Sequence, residues 1–156
     1  MLSIRSGTVN DVPLLKAFIQ EFATYEKFSA AISEEQLRED GFGARPKFRV
    51  LIAEIDGVPA GYALFFDYYS SFRGHGLFLE DLFVRPQFRG KNVGRALFAH
   101  VARIAEDAKG FGVMFNVLDW NTKAIEFYRG IGATFLDDWK TVCLKEKALH
   151  DLASEV

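Results

Sequence analysis

The sequence predicts an α/β fold built on a mixed sheet, and three observations carry that prediction. Alternating apolar runs are interleaved with stretches of helical spacing in the order strand, two helices, antiparallel strands, strand, helix, strand, helix, strands. An Asp56-Gly57 pair joins two of the alternating runs, the composition of a tight hairpin turn. An apolar strand ending at Arg85-Pro86 runs through a short basic, glycine-containing loop into a helix.

The elements follow in order. Leu2–Ser6 reads as a first strand. A helix is expected from about Asn10 to Tyr25, because Leu14, Leu15, Phe18, Ile19 and Phe22 line one stripe. Ser33-Glu34-Glu35-Gln36 has the form of a capping box and opens a second, short helix that stops near Gly41. Phe48–Ile55 and Pro59–Tyr69 alternate around Asp56-Gly57 as a β-hairpin. Leu77–Val84 is the next strand, and Val93 to about Lys109 is the long helix after the basic loop. Val113-Met114-Phe115-Asn116-Val117-Leu118 reads as a buried strand. A helix capped by Asn121 follows and ends at Gly130 and Gly132. Ala133–Leu136 and Lys140–Leu144 are expected to close the sheet as a hairpin around Asp137-Asp138.

The chain has 156 residues, of which 49% are hydrophobic and 26% charged, which fits one domain with a real core. A net charge of −2 gives no basis for bulk nucleic-acid binding. The single cysteine, Cys143, cannot form an intramolecular disulfide and reads as core filler in an apolar run. No apolar run approaches membrane-spanning length and no leader peptide precedes Leu2, so a cytoplasmic protein is expected. His75, His100 and His150 lack metal-ligand spacing, and no metal site is expected.

The segment from Leu79 to Phe98 carries the chemistry. Backbone N–H groups at a helix start have no intrahelical partners, and the helix dipole adds about half a positive charge there. A strand, tight loop and helix start therefore make a seat for phosphate, which Arg89, Lys91 and Arg95 surround with positive charge. Two carboxylates, Glu80 and Asp81, lie just upstream. The same glycines also serve a plain strand-to-helix turn with a solvated basic face. A nucleoside-triphosphate loop is excluded, because Gly94-Arg95-Ala96 stands where Gly-Lys-Ser/Thr is needed. The Gly-x-Gly-x-x-Gly dinucleotide fingerprint is absent as well.

This loop resembles motif A of the GNAT acetyltransferase superfamily, Gln/Arg-x-x-Gly-x-Gly/Ala, which holds the pyrophosphate of acetyl-CoA. Arg89, Gly90, Lys91, Val93 and Gly94 fit it. Asn92 replaces the first glycine and is the residue that best tolerates φ > 0 after glycine. The second region also resembles the superfamily: a strand, Asn121 opening a short helix, and Phe127-Tyr128 near its end before a Gly-Ala. Periodicity alone stops at α+β. The resemblance implies a twisted mixed sheet whose fourth and fifth strands splay to admit the pantetheine arm. Within the superfamily the chain is most similar to the diamine (spermidine/spermine) and thialysine acetyltransferases. Ala23-Thr24-Tyr25-Glu26, Glu39-Asp40-Gly41-Phe42-Gly43, Leu79 to Val84, Trp120-Asn121 and Phe127-Tyr128 carry that similarity. Ser70 and Phe72 stand where the subgroup has a groove acid and a tryptophan, and Gly130 and Ile131 replace basic residues.

The resemblance implies transfer of acetyl from acetyl-CoA to a primary amine of a small molecule. A lysine-like amine has a pKa of about 10.4, so a carboxylate must bind the ammonium and help remove its proton. Glu80 is the candidate base, Glu80 and Asp81 are both substrate ligands, and either acid can contribute to proton removal. Neighbouring strand residues point to opposite faces, so both can serve only if the strand bulges. Tyr128 is the candidate acid for the departing thiolate, although a tyrosine at that spacing also reads as a core residue. Leu82, Phe83 and Val84 line the acyl and pantetheine path, with N–H groups near Phe83 and Val84 polarising the carbonyl. Arg89, Gly90, Lys91, Asn92, Val93, Gly94 and Arg95 hold the pyrophosphate, and Asn121, Phe127 and Tyr128 complete the cofactor set. Tyr25, Glu26 and Trp139 are the further substrate-groove candidates, and the resemblance implies a homodimer. Two other readings share the cofactor residues: an acetyltransferase for protein or peptide amines, and a non-enzymatic CoA-binding module.

Overall fold

The computed structural model describes residues Met1–Val156 as two compact units, Met1–Asn116 and Val117–Val156. The first unit contains β1 (Leu2–Ser6), α1 (Val12–Tyr25), α2 (Glu34–Phe42), β2 (Arg49–Ile55), β3 (Val58–Ser70), β4 (Gly74–Val84), α3 (Val93–Asp107) and β5 (Val113–Phe115). The second contains α4 (Thr122–Gly130) and α5 (Glu146–Ala153).

The sheet order is β1-β2-β3-β4-β5, antiparallel except for the parallel β4–β5 pair. The strands alternate between two cores. On one face Leu51, Ala53, Ala63, Phe65, Leu77 and Leu79 meet Val93, Leu97 and Val101 of α3. On the other, Val50, Ile52, Tyr62, Leu64 and Phe83 meet Val12, Leu15 and Phe18 of α1 and Leu37 of α2. Each fully buried leucine or phenylalanine contributes about 1.5–3 kcal/mol, so the two-residue period fixes which side chain faces which helix. At Asp56-Gly57 both residues have positive φ (51° and 76°), the requirement of a primed hairpin turn. Ser33 Oγ accepts from Gln36 N–H at 3.1 Å and Gln36 Oε1 from Ser33 N–H at 3.1 Å, completing the capping box of α2.

Two irregularities place the functional residues. The β3–β4 register shifts between Leu64↔Asp81 and Phe65↔Leu79, leaving Glu80 as an extra residue, a β-bulge. The parallel β4–β5 pairing covers only Leu77–Leu79 against Val113–Phe115. Beyond Leu79, no strand pairs with that edge of β4, the opening expected between these two strands.

Several expectations need correction. Residues 133–145 form no strands, so the closing hairpin is absent. Trp139 N–H donates to the Leu136 carbonyl at 3.1 Å and closes a turn, but no ladder continues from it. Asp137-Asp138 lacks the glycine that eases positive φ in a two-residue hairpin turn. Cys143 is exposed and fills no core. The strand expected over 113–118 stops at Phe115 and is half-buried. The sequence reading omitted α5, although Leu149 and Leu152 lie on one face and Lys147 pairs with Asp151 one turn on.

Candidate active site

The bulge decides how the acids are arranged. Leu79 faces the α3 core, and Asp81 faces Tyr62 of the α1 core, its Oδ2 accepting the phenol O–H at 2.7 Å. Normal alternation resumes from Asp81, with Phe83 on the α1 side and Leu82 and Val84 on the α3 side. Glu80 takes the extra position between Leu79 and Asp81, and the strand can therefore turn two consecutive acids toward one face. Glu26, which caps the C-terminus of α1, is the third acid.

Asp81 and Glu26 both feel the charge of Glu80. Burial first, then the Glu80 and Glu26 charges, push Asp81 up from 3.8 to about 6, against the Tyr62 hydrogen bond. Burial, followed by the Glu80 charge, raises Glu26. Burial and the Asp81 charge push the Tyr62 phenol well up, so it stays protonated and donates. No lysine or arginine forms an ion pair with Glu26, Glu80 or Asp81. The cluster is an uncompensated negative site suited to an ammonium group.

The cations near it serve other partners. Arg85 binds Glu21 through Nη2 at 2.7 Å and Nε at 2.9 Å, donates from Nη1 to the Pro59 carbonyl at 3.0 Å, and lies 4.5 Å from the Phe18 ring centroid. Arg89 donates from Nε to the Val84 carbonyl at 2.9 Å and stacks 4.6 Å from the Tyr25 ring. Arg89 thus shapes the loop as well as charging it. It also joins a cofactor-loop residue to Tyr25 at the end of α1.

The loop after β4 has the geometry of an anion seat. Gly90 has φ 75° and Asn92 φ 65°, the left-handed conformation that its asparagine permits. Asn92 makes no side-chain cap. The first helical hydrogen bond runs from Ala96 N–H to the Asn92 carbonyl, so the N–H groups of Val93, Gly94 and Arg95 start α3 without intrahelical partners. A Cβ at Gly94 would lie 3.6 Å from Val84 Cγ2, and larger side chains would grow into the seat. Lys91 and Arg95 are exposed, Lys91 lying 5.4 Å from the Phe88 ring. These residues fit a pyrophosphate, and the unpaired edge at Leu82, Phe83 and Val84 fits an amide-bearing arm.

In the second unit, Asn121 Oδ1 accepts from Ala124 N–H at 3.3 Å as the N-cap of α4, and Asn121 is buried. Tyr128 is 8% exposed and meets Phe127 edge-to-face at 5.3 Å. Trp139 is 74% exposed in the turn that the absent hairpin was to occupy. The structure thus gathers Tyr25, Glu26, Glu80, Asp81 and the loop residues in the first unit, and Asn121, Phe127 and Tyr128 on α4. The sequence reading missed Tyr62 and the Arg85–Glu21 pair. Tyr62 carries only the alternation of a core strand, and Glu21 lies 64 positions from its partner.

The acetyltransferase (GNAT) family profile matches residues 15–133. The thialysine N-epsilon-acetyltransferase of Sus scrofa is 36% identical over 97% of both chains. The spermidine/spermine N(1)-acetyltransferase-like protein 1 of Homo sapiens is 29% identical over 97% of this chain and 24% of its own length. Among solved structures, an integron cassette protein from the mobile metagenome of V. cholerae superposes with a TM-score of 0.80 at 23% identity, covering 97% of both chains. Acetyltransferases of this family draw on acetyl-CoA. With the fold, the anion seat and the profile in agreement, the chain belongs to the GNAT family and is an acetyltransferase.

Proposed function

We propose that this protein acetylates a primary amine of a small, lysine-like molecule, with acetyl-CoA as donor. The observation that carries the reading is the Glu26–Glu80–Asp81 cluster, which has no cationic partner and lies at the open edge of β4 just before an anion seat. The relatives named for thialysine add weight to a lysine-like acceptor, with diamines and polyamines as its close variants. Ser70 and the 90% exposed Phe72 supply no further carboxylate, which favours a short acceptor over a multiply charged polyamine.

The whole chain is read as one acetyltransferase domain. Lys91, Arg95, Arg89 and the N–H groups from Gly90 to Gly94 hold the pyrophosphate. The edge at Leu82–Val84 takes the pantetheine arm, with Asn121 and Phe127 contributing. Bound acetyl-CoA supplies the acetyl group as a thioester. Glu26 and Asp81 bind the ammonium, with Tyr25 and Trp139 on the acceptor side. Glu80 takes the proton that the amine must lose before its nitrogen forms the C–N bond. As the C–S bond breaks, Tyr128 gives its proton to the departing sulfur. A reaction that consumes acetyl-CoA suits the cytoplasm.

A homodimer is part of the proposal. Trp139, Val142, Leu144, Leu149 and Leu152 are each at least half exposed, between 50% and 89%, and a second copy would cover such apolar surface. Light scattering returning a monomer mass would remove this part alone. The activity is tested by thiol release from acetyl-CoA with thialysine, lysine, putrescine, spermidine and a lysine peptide. Turnover with thialysine or lysine is expected. Turnover with the peptide alone would move the function to protein amines, and thiol release with none of them would end the proposal.

A further inference from the structure

We infer that Tyr62 is a positioning residue for acetyl transfer, fixing Asp81 through its phenol O–H so that Oδ1 is left for the acceptor's ammonium while Glu80 takes the proton. The inference rests on the proposed amine acetylation and adds a residue to it.

Tyr62 is fully buried, yet it carries a hydroxyl that must be satisfied. Its ring is clamped by a stack on Phe18 at 5.3 Å and 16° and by Phe83 at 6.3 Å. The ring therefore has one orientation, and its O–H meets Asp81 Oδ2 at 2.7 Å. A phenylalanine would fill the same space, so packing accounts for the ring and leaves the hydroxyl unexplained. The bulge supplies the second half of the argument. Asp81, opposite Leu64, is the first paired residue after the extra Glu80, and the Tyr62 bond anchors its carboxyl beside that irregular point.

The groups around Asp81 are Glu80 on its own strand, Glu26 at the end of α1 and Tyr62 on β3. All the charged ones are acidic. Arg85 and Arg89, which contact α1 from the β4–α3 connection, are held by Glu21 and by the Val84 carbonyl. The phenol is thus the donor that favours the ionised form of Asp81, and it opposes burial and the two neighbouring charges. Without it, Asp81 holds its proton to higher pH and binds an ammonium poorly near neutrality.

Tyr62→Phe keeps the stack and removes the donor. The measurement is kcat/KM for thialysine from pH 6 to pH 9, expressed as the variant-to-wild-type ratio so that protonation of the amine itself cancels. The ratio should be roughly one-tenth near pH 6.5 and rise toward one by pH 9, as expected for one hydrogen bond to a charged group. The loss should lie in KM for the amine, with acetyl-CoA affinity unchanged by calorimetry. Asp81→Asn should lose activity at every pH, and adding Tyr62→Phe to it should change nothing further. A ratio that is flat with pH, or additive losses in the double variant, would overturn the positioning role and leave the acetylation proposal standing. A wild-type protein inert toward every amine would overturn both.

Discussion

Replacing Asp81 with asparagine should stabilise the protein, by an amount that grows with pH. The carboxyl sits between Glu80, Glu26 and the Tyr62 phenol, and its pKa is raised from 3.8 to about 6. In the unfolded chain the same group titrates near its ordinary value. At pH below about 3.8 both states hold the proton and the difference costs nothing. Between about 3.8 and 6 the unfolded chain releases a proton that the folded protein keeps, so stability falls as pH rises. Above 6 both forms are ionised and the full cost is in place, about 3 kcal/mol at ~1.36 kcal/mol per pKa unit. Asparagine keeps the shape and still accepts the Tyr62 O–H, but it has no charge to desolvate. Unfolding of both proteins by urea at pH 4.5 and pH 8 reads the effect. The advantage of Asp81→Asn should be about 2 kcal/mol larger at pH 8, equivalent to about 4–8 °C in Tm for a chain of this size. Any constant packing offset cancels in that comparison. A gap that is the same at both pH values, or that narrows toward pH 8, would refute the reasoning. Acetyl transfer should fall in the same variant, because the charge that costs stability is the one proposed to bind the ammonium.

Three further outcomes are expected. Tyr128→Phe should lower turnover by about a hundred- to ten-thousandfold with acetyl-CoA affinity unchanged, the span for a lost general acid, and unaltered turnover would leave Tyr128 a packing residue. Arg89→Ala and Gly94→Val should both weaken acetyl-CoA binding in calorimetry, the first by releasing the Val84 carbonyl and Tyr25 and the second by filling the seat. Wild-type affinity in both would remove the loop from the argument. Gly61→Ala places a Cβ 2.3 Å from the Phe83 carbonyl across the β3–β4 ladder, which must shift at about 1–3 kcal/mol. An unchanged melting temperature would show that the strands yield freely there.

What the sequence made legible was whatever depends on local chemistry. The Asp56-Gly57 turn, the Ser33–Gln36 capping box, the Asn121 cap and the tolerance of Asn92 for positive φ each involve residues within a few positions of one another, and each appears in the structure. The helix stripes were equally readable, since one apolar face is a periodic property. The end of the chain misled for a physical reason. Lys140–Leu144 has strand-like composition, but a strand needs a partner edge, and β-propensity describes fit to a pleated surface more than an intrinsic preference. Val142 and Leu144 stay exposed, so composition alone could not reveal that no ladder forms. Tyr62 was invisible for the opposite reason. Its ring behaves as any core residue of β3 does, and the partner that gives its hydroxyl meaning lies 19 positions away, beyond a bulge.

The bulge and the two arginines together explain why the three acids stand without a compensating charge. A basic loop immediately after an acidic strand segment would be expected to neutralise it. Arg85 is instead held by Glu21 and the Pro59 carbonyl above the Phe18 ring, and Arg89 by the Val84 carbonyl above Tyr25. Both guanidinium groups are fixed by planar contacts that a lysine could not reproduce, which keeps them from swinging back toward Glu80 and Asp81. Positive charge for the proposed anion seat comes from Arg89, Lys91, Arg95 and the unpartnered N–H groups at the start of α3, all downstream of Arg85. Negative charge rests on Glu26, Glu80 and Asp81, all upstream of Arg85. With the two signs kept apart in this way, the proposed anionic donor and cationic acceptor would each meet an opposite charge without the protein groups cancelling each other.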